Sequence, residues 1–157
     1  MIVVSDTSPL NYLVLIDLQH ILPELFERIL IPAAVRDEFQ SAGAPEAIAR
    51  FMAAAPAWLE TRQVSEVDPR LQHLDRGERE AITLAASLSA GSVLIDEKKG
   101  RLVARERGLA VSGTLGVLTR PGDADTAGIP LARSIFAARL GSPSCRCHPA
   151  RVSAHMR

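Results

Sequence analysis

No cysteine occurs before position 145, and the two present, Cys145 and Cys147, stand two apart near the end of the chain. A disulfide framework is therefore excluded as the source of the fold's stability. No apolar run approaches the roughly 20 residues needed to span a bilayer. The N-terminus has neither the basic segment nor the apolar stretch of a signal peptide, so the cytoplasm is the expected location. Excess positive charge is missing as well: 18 basic residues meet 18 acidic ones. Three of the basic residues, Arg146, Arg151 and Arg157, fall in 141–157, which holds no acid, so the first 140 residues carry a net charge of −3. Nucleic-acid binding through bulk charge is not indicated. Such a ligand would need metal ions, a local arginine patch or a partner protein.

What is present is an ordinary globular composition, 47% hydrophobic and 23% charged over 157 residues, enough for one sizeable core. No internal repeat is visible. Residues 2–5 read as a buried strand, followed by a helix from Pro9 to Ile16. Asp17 is placed to cap a second helix over 18–26, which Pro23 kinks or splits. Residues 29–31 form a short strand, and Pro32 opens a helix that runs to Gln40. A helix over 44–54 precedes an alternating strand over 58–64. A polar connection, 68–76, leads to a strong helix over 77–90 and a buried strand over 92–95. A helix over 98–107 closes at Gly108; a strand over 109–111 and a turn of helix over 114–119 follow. Strands alternating with helices predict an α/β fold, a three-layer α/β/α arrangement around a central parallel sheet. Residues 1–140 read as one domain, with an amphipathic helix over 129–140. The Ser-, Pro-, Arg- and Cys-rich stretch 141–157 reads as a disordered tail.

The chemistry lies in the acids. Asp6 ends the first strand and Asp96 follows the strand over 92–95. Two strand-terminal aspartates in one parallel sheet meet at the carboxyl edge, where open α/β sheets place their sites. Glu38 lies at the border of the buried stripe marked by Val35 and Phe39; Asp37 faces away. Glu78 and Glu80 are separated by about 200° around a helix, so only one can face a shared site, and periodicity does not choose between them. Each acid also has a plain structural reading, as a helix cap, a first-turn carboxylate or a solvated charge. Glu97 points away from the edge if its strand continues. Lys98, Lys99, Arg101 and Arg105 come next, as a phosphate-holding face or a solvated helix surface in equal measure. Gathered carboxylates repel one another and are tolerated chiefly where a divalent cation shares them. An all-oxygen set suits Mg²⁺ or Mn²⁺ and not zinc. Cys145, Cys147, His148 and His155 match no zinc spacing.

Five blocks in order resemble the PIN domain. They are Val4-Ser5-Asp6-Thr7-Ser8-Pro9-Leu10, then Ile31-Pro32 with Val35 and Glu38, then Gly77-Glu78-Arg79-Glu80-Ala81-Ile82-Thr83-Leu84-Ala85, then Leu94-Ile95-Asp96-Glu97-Lys98-Lys99-Gly100-Arg101, and Gly113-Thr114-Leu115-Gly116-Val117-Leu118. Over residues 1–120 the chain is most similar to a branch related to VapC-type toxins. The resemblance implies a parallel sheet flanked by helices and an Mg²⁺- or Mn²⁺-dependent endoribonuclease. Its acidic site carries over onto Asp6, Glu38 and Asp96. Its third acid falls on Glu80 by one family pattern and on Glu78 by another, with Glu80 slightly favoured. Thr7 or Ser8 would hold a metal-bound water, or else cap the next helix; of the basic run after Asp96, Lys98 and Arg101 are the candidates for contact with substrate RNA. A small antitoxin protein and a homodimer are the implied partners. Relatives continue past the last block with a basic helix, where this chain has Pro121-Gly122. The competing reading is a catalytically inert PIN-like module that acts through protein or RNA contacts. A haloacid-dehalogenase phosphatase would need an acid where Ser8 stands.

Overall fold

In the computed structural model, which describes residues 1–119, five strands lie side by side: Ile2–Ser5 (β1), Arg28–Pro32 (β2), Leu59–Arg62 (β3), Ser92–Leu94 (β4) and Val111–Ser112 (β5). Their order is β3-β2-β1-β4-β5 and every pairing is parallel. A parallel sheet must be covered on both faces, and the period-2 alternation of strand side chains shows how. Val3, Ile29, Ile31 and Leu94 enter one hydrophobic cluster, while Val4, Leu30, Val93 and Ile95 enter another. The first cluster is closed by helices Thr7–Leu15 (α1), Leu22–Leu25 (α2), Ala33–Phe39 (α3), Glu46–Ala53 (α4) and Thr114–Leu118 (α7). The second is closed by Arg76–Ser87 (α5) and Lys98–Glu106 (α6). The result is the three-layer α/β/α arrangement expected. Burying each large aliphatic side chain contributes about 1.5–3 kcal/mol, and Leu13, Ile29, Ile31 and Ile82 have no exposed surface.

Two local expectations change. The helix over 18–26 is instead a 3-10 turn, Gln19–Ile21, running into the four-residue α2, with Pro23 in the first turn of α2. Asp17 caps nothing. It adopts φ 61°, the left-handed conformation that turns the chain out of α1. Trp58 packs against Phe51, with ring centroids 6.1 Å apart. The expected helix over 129–140 and tail over 141–157 lie outside the described residues. Among the described residues no helix is long and apolar enough to cross a membrane.

The sheet switches direction at β1. The chain builds outward through β2 and β3, then crosses back to β4 on the other side of β1. α1 leaves β1 toward one face, and α6 follows β4 on the opposite face. A crevice therefore opens at the carboxyl ends of β1 and β4, where doubly wound sheets place their ligands. The Asp6 backbone N–H donates to the Leu94 carbonyl at 3.0 Å and ties the two strand ends together.

The connection before α5 is fastened to the end of α6. Asp68 accepts from the Arg70 backbone and guanidinium and from Arg107 Nη1 at 2.6 Å. These bonds, Arg70 first and then Arg107, hold its carboxyl well below the usual carboxylate range. A depressed carboxylate stabilises the fold fully above its unfolded pKa of about 4 and loses that contribution as pH falls toward the folded value. Asp68→Asn should therefore lower Tm at neutral pH, and the gap from wild type should close as pH is taken below about 4. Thermal denaturation across pH checks this; a gap that stays constant would remove the charge from the explanation.

Candidate active site

Asp6 is the first residue after β1 and the N-cap of α1, with extended backbone. Its side chain is 4% exposed. Thr7 opens α1, and its hydroxyl donates to Glu38 Oε2 at 2.5 Å, so α1 and α3 are joined across 31 residues. The first turn of α5 passes directly over this pair. A Cβ placed on Gly77 would stand 2.8 Å from Asp6 Oδ1, 3.2 Å from Thr7 Oγ1 and 3.3 Å from Glu38 Oε1. A side chain here would press on all three oxygens, Asp6 Oδ1 most. Asp6, Thr7, Ser8, Glu38 and Glu78 line one cleft of about 370 Å³.

Burial dominates the electrostatics of Asp6. Its carboxyl is pushed up to about 7, chiefly by desolvation; the Thr7 backbone N–H opposes the rise, and the charges of Glu78, Glu38 and Asp96 add to it. Glu78 is raised in the same direction, again by burial first. Its Oε2 accepts from the Asp75 backbone N–H at 3.3 Å, half of a capping box at the start of α5. Its Oε1 is buried against Gly100 of α6 and has no hydrogen-bond partner among the described residues. Buried carboxylate oxygens are seldom left so, because the desolvation cost goes unmet.

The structure separates the two acids of α5. Glu80 does not reach the cleft. Its Oε2 accepts from the Ala34 backbone N–H at 3.2 Å, at the start of α3, and its Oε1 from Arg76 Nε at 3.1 Å. Of the two candidates for the third acid, Glu78 lines the cleft with Asp6 and Glu38, and Glu80 fastens α5 to α3. Asp96 stands at the same sheet edge and acts on Asp6 through its charge. Both its oxygens are engaged by Thr114, Oδ1 by the backbone N–H at 2.7 Å and Oδ2 by the hydroxyl at 2.5 Å. Arg101 Nη1 lies beside Gly113 near Asp96, and Lys98 is exposed. Neither lines the cleft.

The model of a PIN-domain family, DUF3368, matches residues 2–156. The chain belongs to the PIN-domain family. PIN domains are generally nucleases that use divalent metal ions. Among solved structures, a PilT N-terminus domain protein, SSO1118, from the hyperthermophilic archaeon Sulfolobus solfataricus P2 shares the fold. The TM-score is 0.53 at 17% identity, covering 77% of this chain and 97% of that one. No curated protein matches the sequence.

This PIN domain offers a hard cation suitable oxygen donors: several carboxylates, a glycine that leaves room between them, and one buried carboxylate oxygen with no partner among the described residues. Among the described residues, no three acid, His or Cys side chains are already gathered around one point. They stand around the cleft wall, the arrangement that mutual repulsion favours. Sequence reasoning missed three residues that line this cleft: Asp75, Arg76 and Glu97. The Asp75-x-x-Glu78 spacing was a capping-box signal. Glu97 was set aside on the assumption that its strand continued, but β4 stops at Leu94 and Glu97 becomes the N-cap of α6.

A buried acid facing like charges opposes folding. Asp6→Asn should raise the metal-free stability at neutral pH by about 0.5–2 kcal/mol, as at other strained active-site positions. Denaturant unfolding without added metal measures it. A loss of stability would mean that the carboxylate serves the fold and not the site.

Proposed function

We propose that this PIN domain is a metal-dependent endoribonuclease and that the cleft at the sheet's switch point is its active site. One observation carries the reading: oxygens of Asp6, Thr7 and Glu38 converge at Gly77, and Glu78, which lines the same cleft, has a buried carboxylate oxygen with no partner among the described residues. Such a set demands positive charge. Mg²⁺ or Mn²⁺, held by Asp6, Glu38 and Glu78, would supply a nucleophilic water and neutralise charge on the scissile phosphate. Thr7 fixes the rotamer of Glu38 through Oε2 and leaves Oε1 turned to the cleft. Ser8 lines the same cleft and offers a hydroxyl to bound water. Asp96, anchored by Thr114, adds negative potential at the edge and holds α7 against β4.

The preference for RNA, and the role as the toxin of a toxin–antitoxin pair, draw on the resemblance of the five sequence blocks to a branch related to VapC-type toxins. In that reading the partner is a small cytoplasmic antitoxin that sets an arginine against the acidic cleft, and the toxin works as a homodimer.

Calorimetry with Mn²⁺ and cleavage of single-stranded RNA, run on the same samples, test the proposal. Asp6→Asn should abolish detectable Mn²⁺ binding. Its cleavage should fall by more than the roughly 10–100-fold typical of a residue that only supports a ligand. Unchanged cleavage would end the mechanism. Glu78→Gln should weaken Mn²⁺ binding and Glu80→Gln should leave it intact; the reverse order would return the third acid to Glu80.

A further inference from the structure

An acidic cleft has a difficulty with its own substrate. Five of the side chains that line it are acids, and a nucleic-acid strand is a polyanion. Metal ions relieve the repulsion at the scissile phosphate only. The neighbouring phosphates need a cation of the protein, and Lys98 and Arg101 do not line the cleft.

Arg76 does, and among the lining residues it is the one cation. It directly precedes Gly77, so its Cα lies about 3.8 Å from that of the residue packed on Asp6, Thr7 and Glu38. Its guanidinium is held by two helices. Nε donates to Glu80 Oε1 at 3.1 Å, and Nη2 stands 3.7 Å from Asp37 Oδ2 on α3. Glu80 is itself fixed, 7% exposed, by the Ala34 backbone N–H. The head group is thus oriented by a buried carboxylate. The Arg76 side chain nevertheless remains 56% exposed, and Nη1 has no protein partner among the described residues. A purely structural ion pair has no need of a fork held open at the mouth of a cleft. Guanidinium forks match phosphate geometry.

We propose that Arg76 binds a backbone phosphate of the nucleic-acid strand beside the scissile one, and that Glu80 and Asp37 are its positioning residues. This rests on the nuclease reading above. Glu80, the residue sequence reasoning favoured as a metal ligand, serves the substrate's charge instead of the metal's.

The test uses the full chain and a short fluorescein-labelled single-stranded oligoribonucleotide of mixed sequence, cleaved with Mn²⁺ over a salt series. One phosphate contact on a single strand contributes about 0.7 to the slope of log affinity against log salt, or about fivefold at 0.1 M. Arg76→Gln should raise KM about fivefold at that salt, flatten the slope by about 0.7, and leave Mn²⁺ affinity by calorimetry unchanged. Arg76→Lys should restore most of the slope, because the point charge remains. Glu80→Gln should raise KM with less change in slope. A loss of Mn²⁺ affinity in Arg76→Gln, equal to its loss of RNA affinity, would make Arg76 a support of the acidic site and overturn the inference. So would an unchanged KM and slope in a variant that still cleaves. Wild type that binds Mn²⁺ but neither binds nor cleaves the RNA would overturn the nuclease reading and this inference with it.

Discussion

The carboxylate of Asp6 is buried at the one place in a parallel sheet where neighbouring helices leave in opposite directions, and much else follows from keeping it there. The burial is unfavourable for the ionised form, and the charges of Glu78, Glu38 and Asp96 make it more so. The surrounding elements answer that cost by geometry. The Asp6 N–H is bound to the end of β4, Thr7 is bound to Glu38, and the first turn of α5 places a glycine where a methyl group would crowd oxygens of Asp6, Thr7 and Glu38. An arrangement that costs stability and is fastened from three sides is what a site under functional demand looks like. A helix cap would be cheaper: Asp6 occupies the cap position of α1 yet makes no side-chain capping bond.

Most of the fold was legible because its signals are local. Val3-Val4, Ile29-Leu30-Ile31 and Val93-Leu94-Ile95 are short apolar runs, and their alternation sends successive residues into the two opposite cores. The terminal acids Asp6 and Asp96 could be read from the ends of those runs. What could not be read depended on how helices are rotated against the sheet. Glu78 and Glu80 sit on the same helix, and both are buried, one toward α6 and one toward α3. Periodicity marks burial but not which neighbour does the burying, so it gave no choice. The failure at Asp17 is of the same kind. An aspartate after a helix suits a cap for the next one and a left-handed turn equally well, and only the path of the chain decides.

Asp96 and Glu97 show a subtler limit. Adjacent residues at a strand end are assigned opposite directions if the strand continues, but β4 stops two residues earlier and α6 begins at once. Both acids then stay near the edge. Asp96 turns to α7, where Thr114 takes both its oxygens, and Glu97 lines the cleft wall. Strand ends in a sheet with such short strands carry more of the site than the strands do, and they are where alternation stops being informative.

Charge balance ties these observations together. Net charge over the first 140 residues is negative, so no field from the whole protein draws a polyanion to this edge. Whatever attracts a nucleic-acid strand must act within a Debye length of the cleft, about 8–10 Å at physiological salt. Within that range the acids can be neutralised by bound cations, and Arg76 adds a charge that no change in metal concentration removes. Its anchoring by Glu80 has an energetic logic. A free arginine at the rim of an acidic cleft would fold inward onto Asp6 or Glu38, occupying the space a cation needs. Glu80, buried and pinned to α3 by the Ala34 N–H, competes for the same guanidinium from outside the cleft. The two glutamates of α5 thus differ in placement: Glu78 lines the cleft, and Glu80 holds the guanidinium beside it.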